Sequence, residues 1–129
     1  MPFSKKILNH KFKNWSGDYP DNWIFIQKED ENNYITEDSS GCRIVSSDKN
    51  MGIARSLLSN GSTYRIGITL WINRGQGLEI ISGNTSINSI NSNGTYWYDF
   101  VADTSTLILK NKSKETDFVI ESILVKQKI

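Results

Sequence analysis

Four residues in the middle of the chain have the types and spacing of a binding surface: Arg65, Trp71, Trp97 and Asp99. Each alternates with an apolar or aromatic neighbour. Tyr64, Ile66, Ile68, Leu70 and Ile72 interleave with Arg65, Gly67, Thr69, Trp71 and Asn73, and Tyr96, Tyr98 and Phe100 interleave with Thr95, Trp97, Asp99 and Val101. Side chains alternate across a strand, so the four lie on the faces opposite two core rows. An exposed Trp is uncommon enough to mark a surface that meets something. If the two strands lie close in one sheet, two indoles, a guanidinium and a carboxylate form one patch. A sugar, a protein partner, or plain coverage by a loop or subunit would each account for it.

Catalytic chemistry finds little support. The acidic residues Asp18, Asp21, Glu29, Asp30 and Glu31 fall in polar, loop-like stretches where carboxylates are ordinarily solvated. There is no Gly-x-Ser-x-Gly elbow, no phosphate loop and no His/Cys ligand pair. The single histidine, His10, has no nucleophile beside it and reads as a surface or partner-contact residue. The single cysteine, Cys42, can form neither an internal disulfide nor a metal cluster. Its setting, Gly41-Cys42-Arg43-Ile44-Val45, is the start of a strand, where a thiol serves as a small buried apolar group. The expectation is a protein that is not an enzyme and uses no cofactor.

The elements that must position the patch follow from the rest of the chain. Its 129 residues make one domain, and 37% hydrophobic against 22% charged residues is a globular composition. Fifteen basic and 14 acidic side chains leave a net charge of +1, so nucleic acid is not the default partner. Lysines gather near the two ends, at 5, 6, 11 and 13 and at 110, 112, 114, 126 and 128, as solvated termini and edge protection or, alternatively, as a local contact for a phosphate or an acidic surface. No apolar run is long enough for a membrane span, and no secretory leader is visible, so synthesis in a cytoplasm is expected. Sequons starting at Asn14, Asn60, Asn84, Asn93 and Asn111 read as by-products of Asn/Ser-rich turns.

Strands are expected at 6–8, 23–27, 34–36, 42–45, 64–73, 78–82, 96–101, 107–109 and 118–125, with a weaker one around Ile87 and Ile90. Turn signals recur roughly every 8–12 residues, the rhythm of a sandwich. Asn93-Gly94 is the strongest short hairpin signal. The best helical candidate, 51–58, is short. The fold class is therefore all-β, a single β-sandwich of jelly-roll type with two antiparallel sheets over 7–129, preceded by an N-terminal arm at 1–6.

The stretch Asn9-His10-Lys11-Phe12-Lys13-Asn14-Trp15-Ser16-Gly17-Asp18-Tyr19-Pro20-Asp21-Asn22-Trp23 resembles the opening of carbohydrate-binding modules of the galactose-binding-like jelly-roll class. The resemblance implies that Phe12 and Trp23 plug the core around a loop at 14–22. Leu58-Ser59-Asn60-Gly61-Ser62-Thr63-Tyr64 looks like that family's lead-in to its long central strand. Ser92-Asn93-Gly94-Thr95-Tyr96 looks like its second hairpin, and 118–125 like its last strand, pairing near the first.

Sugar sites on such sandwiches use aromatic rings that stack on pyranose faces, with Asn, Asp, Arg or Gln for the hydroxyls. This makes Trp71, Trp97, Arg65 and Asp99 the candidate glycan or partner patch. Family members often hold a structural calcium through an acidic residue after the Phe and another in the last strand. Here those positions are Lys13 and Glu121, and a lysine works against a hard cation. The resemblance, the bare domain and the Asn/Ser/Ile/Lys-rich composition suggest a non-catalytic bacteriophage virion protein, a capsid decoration, head-fibre or tail-associated subunit. Its partners would be other capsid or tail proteins, host or mucus glycans and further copies of itself. The alternative is a free-standing carbohydrate-binding module or lectin.

Overall fold

The computed structural model of the chain describes residues 5–16, 19–38 and 41–128. Expectations for Asp18, Gly17 and the side chain of His10 fall outside the described residues, as do residues 1–4 of the expected arm. Thirteen strands are present and no helix among the described residues. They are β1 (Lys5–His10), β2 (Trp15–Ser16), β3 (Tyr19–Pro20), β4 (Ile24–Phe25), β5 (Tyr34–Asp38), β6 (Gly41–Ser46) and β7 (Gly52–Ser56). After them come β8 (Thr63–Arg74), β9 (Leu78–Ser82), β10 (Thr85–Ile90), β11 (Gly94–Val101), β12 (Thr106–Asn111) and β13 (Thr116–Gln127).

Two antiparallel sheets stack into a sandwich. One has the order β11-β8-β13-β6-β5, with β1 also paired to β13, and the other the order β10-β9-β12-β7-β4. The long strand β13 organises the first sheet. Along one side it pairs β8; along the other its first half takes β6 and its second half takes β1. Lys5 and Lys6 are already part of this ladder, opposite Gln127 and Lys126.

The even-numbered row of β8 does what alternation demands. Tyr64, Ile66, Ile68 and Leu70 are buried, as are Leu78 and Ile80 from β9, Leu107 and Leu109 from β12, and Phe118, Ile120, Ile123 and Val125 from β13. Each such side chain contributes about 1.5–3 kcal/mol on leaving water. Phe12 and Trp23 are both buried, with ring centroids 6.0 Å apart. Phe12 reaches the core because its backbone adopts the left-handed conformation, φ 57°. That costs about 1–2 kcal/mol for an L-residue, which burial of the ring offsets.

Three expectations are corrected. Residues 51–58 are not helical: 52–56 form β7, an inner strand between β12 and β4. The cause is tertiary, since a Cβ at Gly52 would come within 2.3 Å of the Leu109 carbonyl oxygen, so only glycine admits so close a strand. The loop expected at 14–22 carries the small ladder β2–β3. Asn93-Gly94 is not a hairpin turn either. β10 belongs to one sheet and β11 to the other, so the chain crosses the sandwich there. The Asn93 side chain instead accepts a hydrogen bond from the Ile72 backbone N–H at 2.6 Å, capping the β8–β11 ladder.

Candidate functional site

The register of β11, β8 and β13 arranges the outer face of the six-stranded sheet in rows. Asp99, Arg65 and Lys126 form one; Trp97, Gly67 and Leu124 the next; Thr95, Thr69 and Ser122 the third. Farther along, Trp71 lies opposite Val119, whose partner in β6 is Arg43. Four residues along β8 separate the Trp97 row from Trp71, roughly 13 Å at the rise of a strand.

Each row has its own fixation. Arg65 grips Asp99 through two parallel bonds, Nε to Oδ1 at 2.7 Å and Nη2 to Oδ2 at 3.0 Å. This pair holds the Asp99 carboxyl below its ordinary pKa and raises that of the guanidinium. The Thr69 and Thr95 hydroxyls are hydrogen-bonded at 2.9 Å. Trp71 donates its indole N–H to Glu121 Oε2 at 2.5 Å. Glu121 can reach it because β13 bulges between Ile120 and Ser122, which leaves Glu121 without a partner residue in β8.

Trp97 is fixed by an absence of side chain. A Cβ on Gly67 would meet the six-membered ring of Trp97 at 2.5 Å, so the indole rests on the bare backbone of β8. It remains 50% exposed, and Trp71 47%. On one side of Trp97 is an open cleft of about 640 Å³ lined by Arg65, Ile87, Asn88, Tyr98, Asp99 and Lys126. On the other is a shallow recess of about 160 Å³, bordered by Lys11, Thr69, Thr95, Ser122 and Leu124.

The structure thus brings Arg65, Trp97 and Asp99 into one contiguous patch and sets Trp71 on the same face, apart from them and tied to Glu121. Gly67, Lys11, Lys126 and the Thr69–Thr95 pair were not singled out from sequence. A glycine inside an otherwise regular strand is itself a signal of close approach, and Gly67 could have been found that way. The other three depend on register. The two positions tied to calcium by resemblance, Lys13 and Glu121, border one recess with Lys11, Glu37 and Asp38.

Such a face offers two half-exposed aromatic planes, a fixed fork of charge and hydroxyls, all on rigid strands. It can hold a flat, partly apolar, hydroxyl-rich ligand by stacking and hydrogen bonding.

No protein-family model matches the chain, and no curated protein sequence matches it. Solved structures do. The CBM22-1–GH10 modules of Clostridium thermocellum endo-1,4-beta-D-xylanase 10B, complexed with xylohexaose, superpose with a TM-score of 0.64 over 95% of this chain at 14% identity. This chain spans 29% of that one. The CBM22-1 xylan-binding domain of Paenibacillus barcinonensis Xyn10C gives 0.59 at 10% identity, covering 95% of this chain and 94% of that one. A variant of CBM29-2 complexed with cellulohexaose gives 0.56 at 12% identity, covering 97% and 90%. At these identities the likeness is one of fold, the jelly-roll sandwich of carbohydrate-binding modules.

Proposed function

We propose that this protein is a non-catalytic glycan-binding domain whose ligand lies across the outer face of the six-stranded sheet, over Trp97 and toward Trp71. The observation that carries the reading is the seating of Trp97 on Gly67. A large aromatic is seated, half in solvent, over a position where any side chain would dislodge it. Aromatic surface of this kind binds at little entropic cost. The bidentate Arg65–Asp99 pair beside it presents fixed donors and acceptors for hydroxyls. The fold neighbours whose names state a xylan-binding role, or that hold an oligosaccharide, support the class of ligand.

Isothermal titration against a panel of soluble polysaccharides tests the proposal. Trp97→Ala should weaken binding at least tenfold, with an unchanged circular-dichroism spectrum, and Trp71→Ala should weaken it less. Undiminished binding by the Trp97 variant would remove this face from consideration.

A role in virion assembly is a second reading, and it needs a surface for protein contact. Ile24, on the edge strand β4 of the other sheet, is 66% exposed and offers one apolar contact point. Ile24→Asp should then release the chain from purified particles and leave glycan binding intact. Absence of the wild-type chain from particles would end this second reading alone.

A further inference from the structure

The charges around Trp97 are not balanced. Lys126 lies in the cleft on one side of the indole and Lys11 borders the recess on the other. Neither has an ion-pair partner among the described residues. Asp99, the carboxylate of the same surroundings, is held by Arg65 in two bonds and so does not compensate the lysines. Two cations and one carboxylate therefore line the cleft on the Lys126 side of the exposed aromatic plane, whereas Lys11, on the other side, also borders a recess with Glu37, Asp38 and Glu121. The excess is local, and it lies on the Lys126 side of the ring. The Trp71 end of the face is different. Its indole is bonded to Glu121, and the nearby Arg43 is paired with Asp117 at 2.7 Å.

We infer that the sugar bound over Trp97 is a uronate, and that the natural ligand is an acidic polysaccharide. This inference rests on the glycan-binding reading of the same face. A pyranose ring stacked on Trp97 directs its ring substituents toward the depressions on either side. A carboxylate on that ring, directed into the open cleft, then meets Lys126 at a solvent-exposed site. A bound uronate satisfies both features of the site at once, the apolar plane and the uncompensated Lys126 ammonium group. A neutral sugar uses only the first.

The experiment compares polygalacturonate and alginate with the same polymers after chemical reduction of their carboxyl groups, and with neutral xylan and glucomannan. Dextran sulfate serves as a control for charge alone. Wild-type protein should bind a native uronate polymer at least tenfold more tightly than its carboxyl-reduced form. That preference should shrink in 1 M salt, where screening reaches about 3 Å. Lys126→Gln should weaken uronate binding about two- to fivefold, as for an exposed charge pair, weaken binding to the reduced polymer less, and so narrow the preference for the native polymer, while Lys11→Gln should have the smaller effect. Trp97→Ala should abolish both. Equal affinity for native and reduced polymers, or binding to neutral glycans only, overturns the inference and leaves the glycan-binding reading in place. Binding to dextran sulfate as tight as to uronate and insensitive to Trp97→Ala also overturns it. Failure to bind any polymer overturns both readings.

Discussion

Trp97 and Gly67 face each other across neighbouring strands, and the indole occupies the space that a Cβ on Gly67 would need, 2.5 Å from its ring atoms. A methyl group at position 67 must push the ring outward. Because the ring is half in solvent, it can move without disturbing the core. Gly67→Ala should therefore separate function from stability. Glycan affinity should fall about tenfold or more, while the unfolding midpoint changes little. Titration calorimetry and thermal unfolding on the same preparation check this, and a Gly67→Ala variant that binds like the parent would show that the seating of Trp97 is irrelevant.

Two Arg–Asp pairs of similar geometry should differ in what they do for stability. Arg43 and Asp117 are joined by two bonds of 3.0 and 2.7 Å, and the Asp117 side chain is only 10% exposed. Asp117→Asn leaves the guanidinium against a neutral amide and should cost about 1–3 kcal/mol in urea unfolding at neutral pH. The Arg65–Asp99 pair lies in solvent, and its loss should scarcely register. The Arg43 guanidinium holds the Asp117 carboxyl below its ordinary pKa. The stabilisation is therefore complete above the normal carboxylate range and disappears as pH falls through the depressed folded value. The gap between wild type and Asp117→Asn should narrow on acidification; a gap independent of pH would refute the assignment.

How far these features were legible in the sequence depends on range. The period-2 pattern of 64–73 and 96–101 gave both the strands and the solvent face of Trp71 and Trp97, because burial of one face enforces alternation. Cross-strand partners are a different matter. That Trp97 would meet Gly67, or that Lys126 would share a row with Arg65, is set by register, and register emerges from the whole sheet. The bulge that delivers Glu121 to Trp71 has no local signature either. The failed expectations share this origin. Met51 to Leu58 lacks alternation because Ile53 and Ala54 are both buried in an inner strand, and Asn93-Gly94 has the chemistry of a hairpin while its flanking strands belong to different sheets.

Asn111 is a polar residue that the core cannot lose cheaply. It is fully buried; its Oδ1 accepts from the Met51 N–H at 3.0 Å, and its Nδ2 donates to Ser46 Oγ at 2.8 Å and to the Lys49 carbonyl at 2.9 Å. The amide ties the β6–β7 connection to the end of β12. Asn111→Leu keeps the branching and the number of side-chain heavy atoms but strands a buried N–H, with an expected loss of about 1–3 kcal/mol. At this chain length that lowers the melting temperature by roughly 4 °C per kcal/mol. A melting temperature equal to that of wild type would mean that the loop finds other partners. The same burial makes the sequon at Asn111 unusable in the folded state.

Cys42 gives a direct probe of how the sandwich opens. It is buried, between Glu37 of β5 and Ile120 of β13 in the ladder, and burial pushes its thiol pKa up to about 12. Reaction with a disulfide reagent needs both access and thiolate, and the folded protein supplies neither at pH 8. The native protein should therefore stay unlabelled over hours and react completely once guanidinium unfolds it. Labelling should follow global unfolding, because β13 covers Cys42 on one side and is the most central strand of its sheet. Labelling that is fast in the native state, and unaffected by stabilising conditions, would show instead that β5 peels from the sheet edge as a separate unit. The Asn111→Leu variant distinguishes the two, since it lowers global stability without touching β5: labelling should accelerate in proportion to its loss of stability if opening is global and stay constant if it is local.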